Sequence, residues 1–149
     1  MTSDPELGIA ACHCHTLRHA ARHLTQFYDR MLAPAGVKAT QFPVLAALMQ
    51  FGTMPLGALA ARLGMDRATL GHNIRPMLAQ GWLEMAPGED RRRRDLALSA
   101  AGREVLEAAL PLWQAAQAGF AAGFGAERAV GLRAEAAEAA RVALSRPGA

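Results

Sequence analysis

Cys12-His13-Cys14-His15, followed by His19 and His23, gathers both cysteines and four of the five histidines into one short segment. These side chains ligate transition metals and, as thiolates, take part in redox chemistry. On a helix, Cys12, His15, His19 and His23 fall within about 80° of one another. An i, i+4 pair on a helix can seat two imidazoles on one ion. The full stripe spans too many turns for one ion, so a site would draw two or three of its residues plus a ligand from elsewhere, and Cys12, Cys14, His15 and His19 are the candidate redox or metal residues. The plainer expectation is a polar flank of a helix that packs on a partner, and no metal is firmly predicted. Side chains at i and i+2 diverge on a helix. Cys12 and Cys14 are therefore expected to pair across a dimer or to act as a redox-sensing thiol, not to bond to each other. The Cys-x-x-Cys-His pattern of haem attachment is not present.

The second dense cluster is Arg91-Arg92-Arg93-Arg94. The chain of 149 residues has a net charge of +3, and Arg/Lys outnumber Asp/Glu most in its middle third, around this tetrad. A modest positive balance with a local arginine knot suits a polyanion partner, where the alternative is a solvated loop. Asp90, directly before the tetrad, reads as a brace that holds one arginine fork by a bidentate pair.

The elements that must carry these residues are mostly helical. Hydrophobic residues make up 52% of the chain and aromatics only 5%, a composition too poor in sheet formers for a β fold and too apolar for disorder. Residues 12–32 read as a long helix with Leu17, Ala20, Leu24, Phe27, Tyr28 and Met31 at three- and four-residue steps. A second helix is predicted from Thr40 as N-cap, with a stripe of Phe42, Leu45, Ala46 and Met49, ending at Gly52. A short helix over 55–63 follows, then Gly64-Met65-Asp66, then a helix from Arg67 to about Gln80 that ends at Gly81. Two helices joined by about three residues with a glycine form a helix-turn-helix. Trp82 to Ala86 and Arg94 to Leu98 then read as a β-hairpin turning at Pro87-Gly88-Glu89-Asp90, with the tetrad near its tip. Ser99 caps a helix from Ala100 to about Ala122, kinked at Pro111. Glycines 119, 123 and 125 break the chain before a last helix from about Ala126 to Leu144. The fold class is mainly α with a small β-hairpin.

If Leu70, Ile74, Met77 and Leu78 are the buried face of the second helix of the pair, Ala68, His72, Arg75 and Ala79 lie opposite, flanked by Thr69, Asn73 and Pro76. Such a face suits a DNA major groove, where Arg bridges guanine, Asn bridges adenine, and Thr and Ala methyls meet thymine. The helix N-terminus near Arg67 presents free N–H groups to phosphate. An arginine-rich hairpin beside this unit is a wing, and arginine favours the strong negative potential of a narrow minor groove.

The chain here resembles the MarR family of transcription regulators. The resemblance covers roughly residues 12–120. It rests on Leu59-Ala60, on Leu63-Gly64-Met65-Asp66-Arg67-Ala68-Thr69-Leu70, on Leu78 through Gly81-Trp82-Leu83, on Asp90-Arg91-Arg92, and on Leu98-Ser99-Ala100-Ala101-Gly102. It implies a homodimer paired through residues 1–39 and 100–149, with a winged helix-turn-helix at 40–99 that reads one half-site of a pseudo-palindromic double-stranded operator. It also implies repression relieved by a small aromatic acid or by cysteine oxidation. Candidate ligand-lining residues are His19, His23, Phe42 and Trp113. Gly71-His72 departs from the family's usual Thr-Arg, and Pro76 deletes one hydrogen bond inside the same helix.

The DNA-facing set is therefore Arg67, Ala68, Thr69, His72, Asn73 and Arg75 on the helix, and Asp90 with Arg91, Arg92, Arg93 and Arg94 on the wing. No Ser/His/Asp constellation, phosphate loop or paired-carboxylate motif is visible, so neither an enzyme nor a cofactor is expected. An enzyme built on the N-terminal Cys/His cluster is the remote alternative. No apolar run reaches the length of a membrane span and the first eight residues are acidic, so the expectation is a cytoplasmic protein with no membrane partner.

Overall fold

The computed structural model describes residues 8–90 and 92–145. It contains α1 (His13–Leu32), α2 (Phe42–Phe51), β1 (Met54–Pro55), α3 (Leu56–Leu63), α4 (Arg67–Ala79), β2 (Leu83–Pro87), β3 (Arg94–Leu98), α5 (Ala100–Phe124) and α6 (Ala126–Ser145). Short 3-10 turns at Ile9–Ala11 and Ala33–Ala35 flank α1. The chain divides after Trp113 into two compact units.

The core of the first unit is built around Leu32, Val44, Leu45, Leu59, Leu70 and Met77, joined by Leu96 from the sheet and Leu106 from the start of α5. Only Leu32 is buried along α1, and the half of that helix carrying the histidines is exposed. Asp29 Oδ1 accepts the Ala39 amide at 2.7 Å and ties the end of α1 to the segment leading into α2.

α2 begins at Phe42 with Gln41, not Thr40, at its N-cap, and Pro43 sits in its first turn. The expected stripe is only half right. Phe42 and Leu45 are buried, but so are Val44, Ala47 and Leu48, while Met49 is exposed. The segment is apolar on nearly every side, so period alone cannot select its inward face.

The helix-turn-helix forms as expected. Gly64 closes α3 in the left-handed region at φ +63°, and the amides of Gly64 and Met65 reach back to Ala61 and Ala60. Gly81 does the same for α4 at φ +73°, with Gly81 N–H donating to Leu78 and Trp82 N–H to Met77. A residue with a Cβ is strained in this conformation, and glycine is not.

The hairpin gains a third strand. β1 pairs antiparallel with β3, giving the order β1-β3-β2, with Met54 opposite Leu96 and Leu83 opposite Leu98. Two residues leave no alternation to read, which is why β1 has no signal in the sequence. Ser99 caps α5. Its hydroxyl accepts the Gly102 amide at 2.9 Å and offers its one proton to the Gly81 carbonyl at 2.5 Å, with the Trp82 carbonyl also in reach at 3.0 Å.

In the second unit, helix continues through Gly119 and Gly123, and only Gly125 breaks it, at φ +104°. In the part of α5 that belongs to the first unit, helical order passes through Pro111 without interruption. Phe120 and Phe124 stack with centroids 5.3 Å apart, and the Arg128 guanidinium lies 4.2 Å from the Phe124 centroid. No helix of the described residues is long and apolar enough to cross a membrane.

Candidate nucleic-acid interface

The outward face of α4 is the one the helical wheel selects. Leu70, Ile74 and Met77 are buried, while Ala68, His72, Arg75 and Ala79 are exposed. Among the described residues, the side chains of His72 and Arg75 have no hydrogen-bond or ion-pair partner. They are unspent donors on a surface, the condition for contacting bases or phosphates.

Three flanking residues are placed differently from one another. Thr69 is engaged with the cap: its hydroxyl donates to Asp66 Oδ2 at 2.7 Å and its amide to Asp66 Oδ1 at 2.8 Å. These bonds, the hydroxyl's first, hold the Asp66 carboxyl below its ordinary value. Thr69 keeps its methyl and hydroxyl lone pairs for an outside partner. The cap also sets a carboxylate at the end of α4 that was expected to offer open N–H groups to phosphate. Arg67 folds back, with its guanidinium where a Cβ on Gly57 would stand. Asn73 Nδ2 donates to the Thr40 carbonyl at 2.8 Å, so its amide nitrogen anchors α4 to the entry of α2. The two-point contact with adenine needs both amide groups; with this tether intact, Asn73 offers only its oxygen.

The wing is a tight loop between β2 and β3. Gly88 N–H donates to the Arg93 carbonyl and Arg93 N–H to the Asp90 carbonyl, each at 2.8 Å. A Cβ on Gly88 would come within 2.9 Å of the Arg93 oxygen, so the loop closes only around glycine. Asp90 is a brace of the backbone. Its Oδ1 accepts the Arg92 backbone amide at 3.2 Å, an Asx-type turn bond. The expected fork pair is not formed among the described residues. Arg92, Arg93 and Arg94 are exposed and carry no ion pair there; Arg91 lies outside the described residues.

At the root of the wing, Thr53, Pro55, Pro87, Gly88, Glu89, Arg93 and Asp95 line a depression of about 530 Å³. Asp95 Oδ1 is buried with no hydrogen-bond partner among the described residues. Its position in β3 gives no sign of this, because the close approach of Gly88, where an added Cβ would stand 3.1 Å from Asp95 Oδ1, follows from the fold of the wing loop.

A separate cleft of about 250 Å³ lies within the first unit, lined by Leu24, Thr25, Tyr28, Leu32, Ala39, Phe42, Pro43 and Trp113. Phe42 and Trp113 stack in it with centroids 5.3 Å apart and planes 12° from parallel. It thus unites two of the four residues expected to line a ligand site. His19 and His23 are not in its lining. Leu24, Tyr28 and Leu32 take that place, and their helical spacing reads as core.

The N-terminal cluster is exposed. Helix α1 begins at His13, so Cys12 is its N-cap in extended conformation, and its Sγ accepts the His15 amide at 3.4 Å. The divergence of i and i+2 side chains within a helix therefore does not govern the Cys12–Cys14 pair. Both thiols are free and exposed. The described residues contain no group of three or more His, Cys, Asp or Glu able to hold a metal.

Comparison with known proteins gives a consistent picture. The MarR family model matches residues 35–93, which contain α2, the helix-turn-helix and most of the wing. The chain is 41% identical to the Mycobacterium tuberculosis transcriptional regulator MosR, solved in complex with DNA, over 87% of this chain and 98% of that one, with a TM-score of 0.72. It shares its fold with Bordetella bronchiseptica BpsR, at 23% identity over 89% of this chain and 96% of that one, with a TM-score of 0.76. It is 26% identical over 85 residues to the HTH-type transcriptional regulator YwoH of Bacillus subtilis, a match covering 57% of this chain and 62% of that protein's length. The chain belongs to the MarR family of winged helix-turn-helix, DNA-binding transcription regulators, a family of regulators and not of enzymes.

Proposed function

We propose that the protein is a homodimeric repressor in the cytoplasm that binds a pseudo-palindromic double-stranded operator and is released by a small aromatic acid. The observation that carries this reading is the pair of exposed elements whose donors form no ion pair among the described residues: His72 and Arg75 on α4, and Arg92, Arg93 and Arg94 on the wing. In this reading α4 enters the major groove with Ala68, Thr69, His72 and Arg75 toward base edges, and Asn73 contributes its carbonyl oxygen. Arg67 and the wing, Arg91 and Asp90 included, follow the backbone and minor groove.

Residues 40–99 bind DNA, and residues 1–39 and 100–149 pair the subunits. Exposed apolar side chains in those end segments support pairing: Leu17 in α1, and Val130, Leu132, Val142 and Leu144 in α6. A two-fold dimer places two recognition helices about 34–36 Å apart, one turn of DNA. The effector site is the Phe42–Trp113 cleft. Its volume lies just below the roughly 300–1,000 Å³ of drug-sized sites, which suits a single-ring ligand. BpsR, whose DNA binding is regulated by 6-hydroxynicotinic acid, supports that ligand class.

The test is retardation of the duplex upstream of the protein's own gene against a random duplex, followed by titration with benzoic and phenolic acids. Specific retardation relieved by an acid is expected; equal affinity for both duplexes would overturn the reading. Sedimentation at micromolar concentration should give a dimer, and removal of residues 126–149 should weaken association and DNA binding together.

Control by thiol oxidation is a second reading, favoured by the exposure of Cys12 and Cys14. A peroxide-induced loss of DNA affinity that Cys12→Ser and Cys14→Ser variants escape would support it over ligand release.

A further inference from the structure

The His19 and His23 rings face one another across one helical turn. Their Nε2 atoms are 3.2 Å apart, and their ring centroids are 4.4 Å apart. Two imidazole nitrogens bound to one zinc-type ion at about 2.0–2.1 Å, with a bond angle between square and tetrahedral, stand about 2.9–3.4 Å apart. The observed separation falls inside that bite.

We infer that His19 and His23 form a two-nitrogen clamp for one divalent transition-metal ion of the zinc, nickel or copper type. Both residues are exposed in the single chain, sit well inside the regular part of α1 and lie about 120–160° around the helix from Leu17, so pairing through the Leu17 face leaves them open to an ion. Without metal, one Nε2 donates a proton to the other. With metal, each ring carries its proton on Nδ1 and turns its Nε2 lone pair to the ion. The exchange relocates a proton between ring nitrogens and requires no redox partner.

His15 is not part of the bite. Its ring centroid is 6.3 Å from that of His19, and the planes meet at 32°. Cys12 is engaged with the His15 amide one turn further away. Spacing alone does not choose between His15–His19 and His19–His23, both i, i+4 pairs, and the geometry selects the second. With no third protein ligand among the described residues, water fills the remaining positions, and the site is exchangeable. Nitrogen ligands without a carboxylate exclude magnesium and calcium, which take oxygen.

The test is calorimetric titration of the full-length protein with zinc and, separately, nickel chloride. Nitrogen hyperfine structure in the electron paramagnetic resonance spectrum of added copper(II) provides a second readout. One ion per chain is expected, with coupling to two imidazole nitrogens. His19→Ala and His23→Ala should each lower the affinity about tenfold or more, while His13→Ala and a Cys12→Ser/Cys14→Ser double variant leave it unchanged. Magnesium should give no heat. Unchanged binding in the His19 and His23 variants, or binding abolished by His15→Ala or by the cysteine variants instead, would overturn the clamp. None of these residues lies on the DNA-facing elements, so failure here leaves the operator-binding experiment untouched.

Discussion

The carbonyl oxygen of Trp82 occupies the place a Cβ on Gly102 would take. Leu98 Cδ1 closes the same space from the side, at 2.8 Å. The first turn of α5 therefore rests directly on the backbone where α4 ends and β2 begins, and Ser99 fastens the two together with its hydroxyl. Gly102→Ala forces backbone against backbone, which a side-chain rotation cannot relieve. It should destabilise the fold by about 1–3 kcal/mol, as overpacking does. A lower urea midpoint with an unchanged slope would show this; a variant as stable as the parent would refute it.

Asp66 gives the stability of α4 a pH dependence of known sign. The Thr69 hydroxyl and amide hold its carboxyl below the ordinary value. A group whose folded value is depressed contributes stability that is fully present above its unfolded value and lost as pH falls through the folded one. The loss therefore falls on the acid side of the ordinary aspartate range. Asp66→Asn keeps an acceptor for the Thr69 amide and should flatten that part of the curve. Asp66→Ala should lower stability at neutral pH as well, because the cap itself is removed. Thermal melts of the three proteins between neutral and acid pH would distinguish them.

Local chemistry makes much of this molecule legible. Gly64 and Gly81 announce helix ends because only glycine takes the left-handed turn without strain, and Asp66 and Ser99 announce helix starts because their side chains satisfy free amides. What escapes depends on partners far away in sequence. The amide of Asn73 is tied to Thr40, 33 positions away, and no spacing rule reports that bond. β1 exists because β3 offers it a free edge. The inward face of α2 is chosen by its neighbours, since most of its faces are apolar. Gly119 and Gly123 lie within α5 because the propensity cost of a glycine, about 1 kcal/mol, is one that a long alanine-rich helix tolerates. Asp90 is legible as a brace but not as to what it braces: among the described residues it is the backbone amide two residues on, and not a guanidinium, that reaches the carboxylate.

The stacked pair of Phe42 and Trp113 makes the cleft report on its own occupancy. An aromatic acid entering beside Leu24 and Tyr28 should change Trp fluorescence in the parent and leave a Trp113→Phe variant, which still contains Trp82, largely silent. Leu24→Trp, which fills the cleft from α1, should abolish the response to ligand and retain DNA binding. If fluorescence of both parent and variant responds equally, the ligand binds elsewhere.

Recognition helix and wing should separate in their response to salt. Arg92 is exposed with its guanidinium unpaired among the described residues, and a cation that neutralises a phosphate releases counterions whatever the sequence. Arg92→Ala should weaken binding to every duplex and reduce the log–log salt slope by about 0.9 for each phosphate that is no longer neutralised. Arg75 stands on the outward face of α4. If it bridges a guanine, Arg75→Ala should cost about 1–3 kcal/mol on the operator and much less on random DNA. Asp90→Ala frees the Arg92 amide and loosens the wing turn without removing a cation, so it should act as a mild form of Arg92→Ala with the salt slope kept. Asn73→Ala removes both the tether to Thr40 and the carbonyl oxygen offered to the groove; it should reduce folding stability by about 0.5–1.5 kcal/mol and lower affinity on both duplexes, more on the operator. Titrations of the four variants at several salt concentrations, on specific and random duplexes, decide among these. Equal losses of affinity on both duplexes for Arg75→Ala, with a flatter salt slope, would make Arg75 a phosphate clamp and leave base reading to Ala68, Thr69, His72 and the Asn73 oxygen.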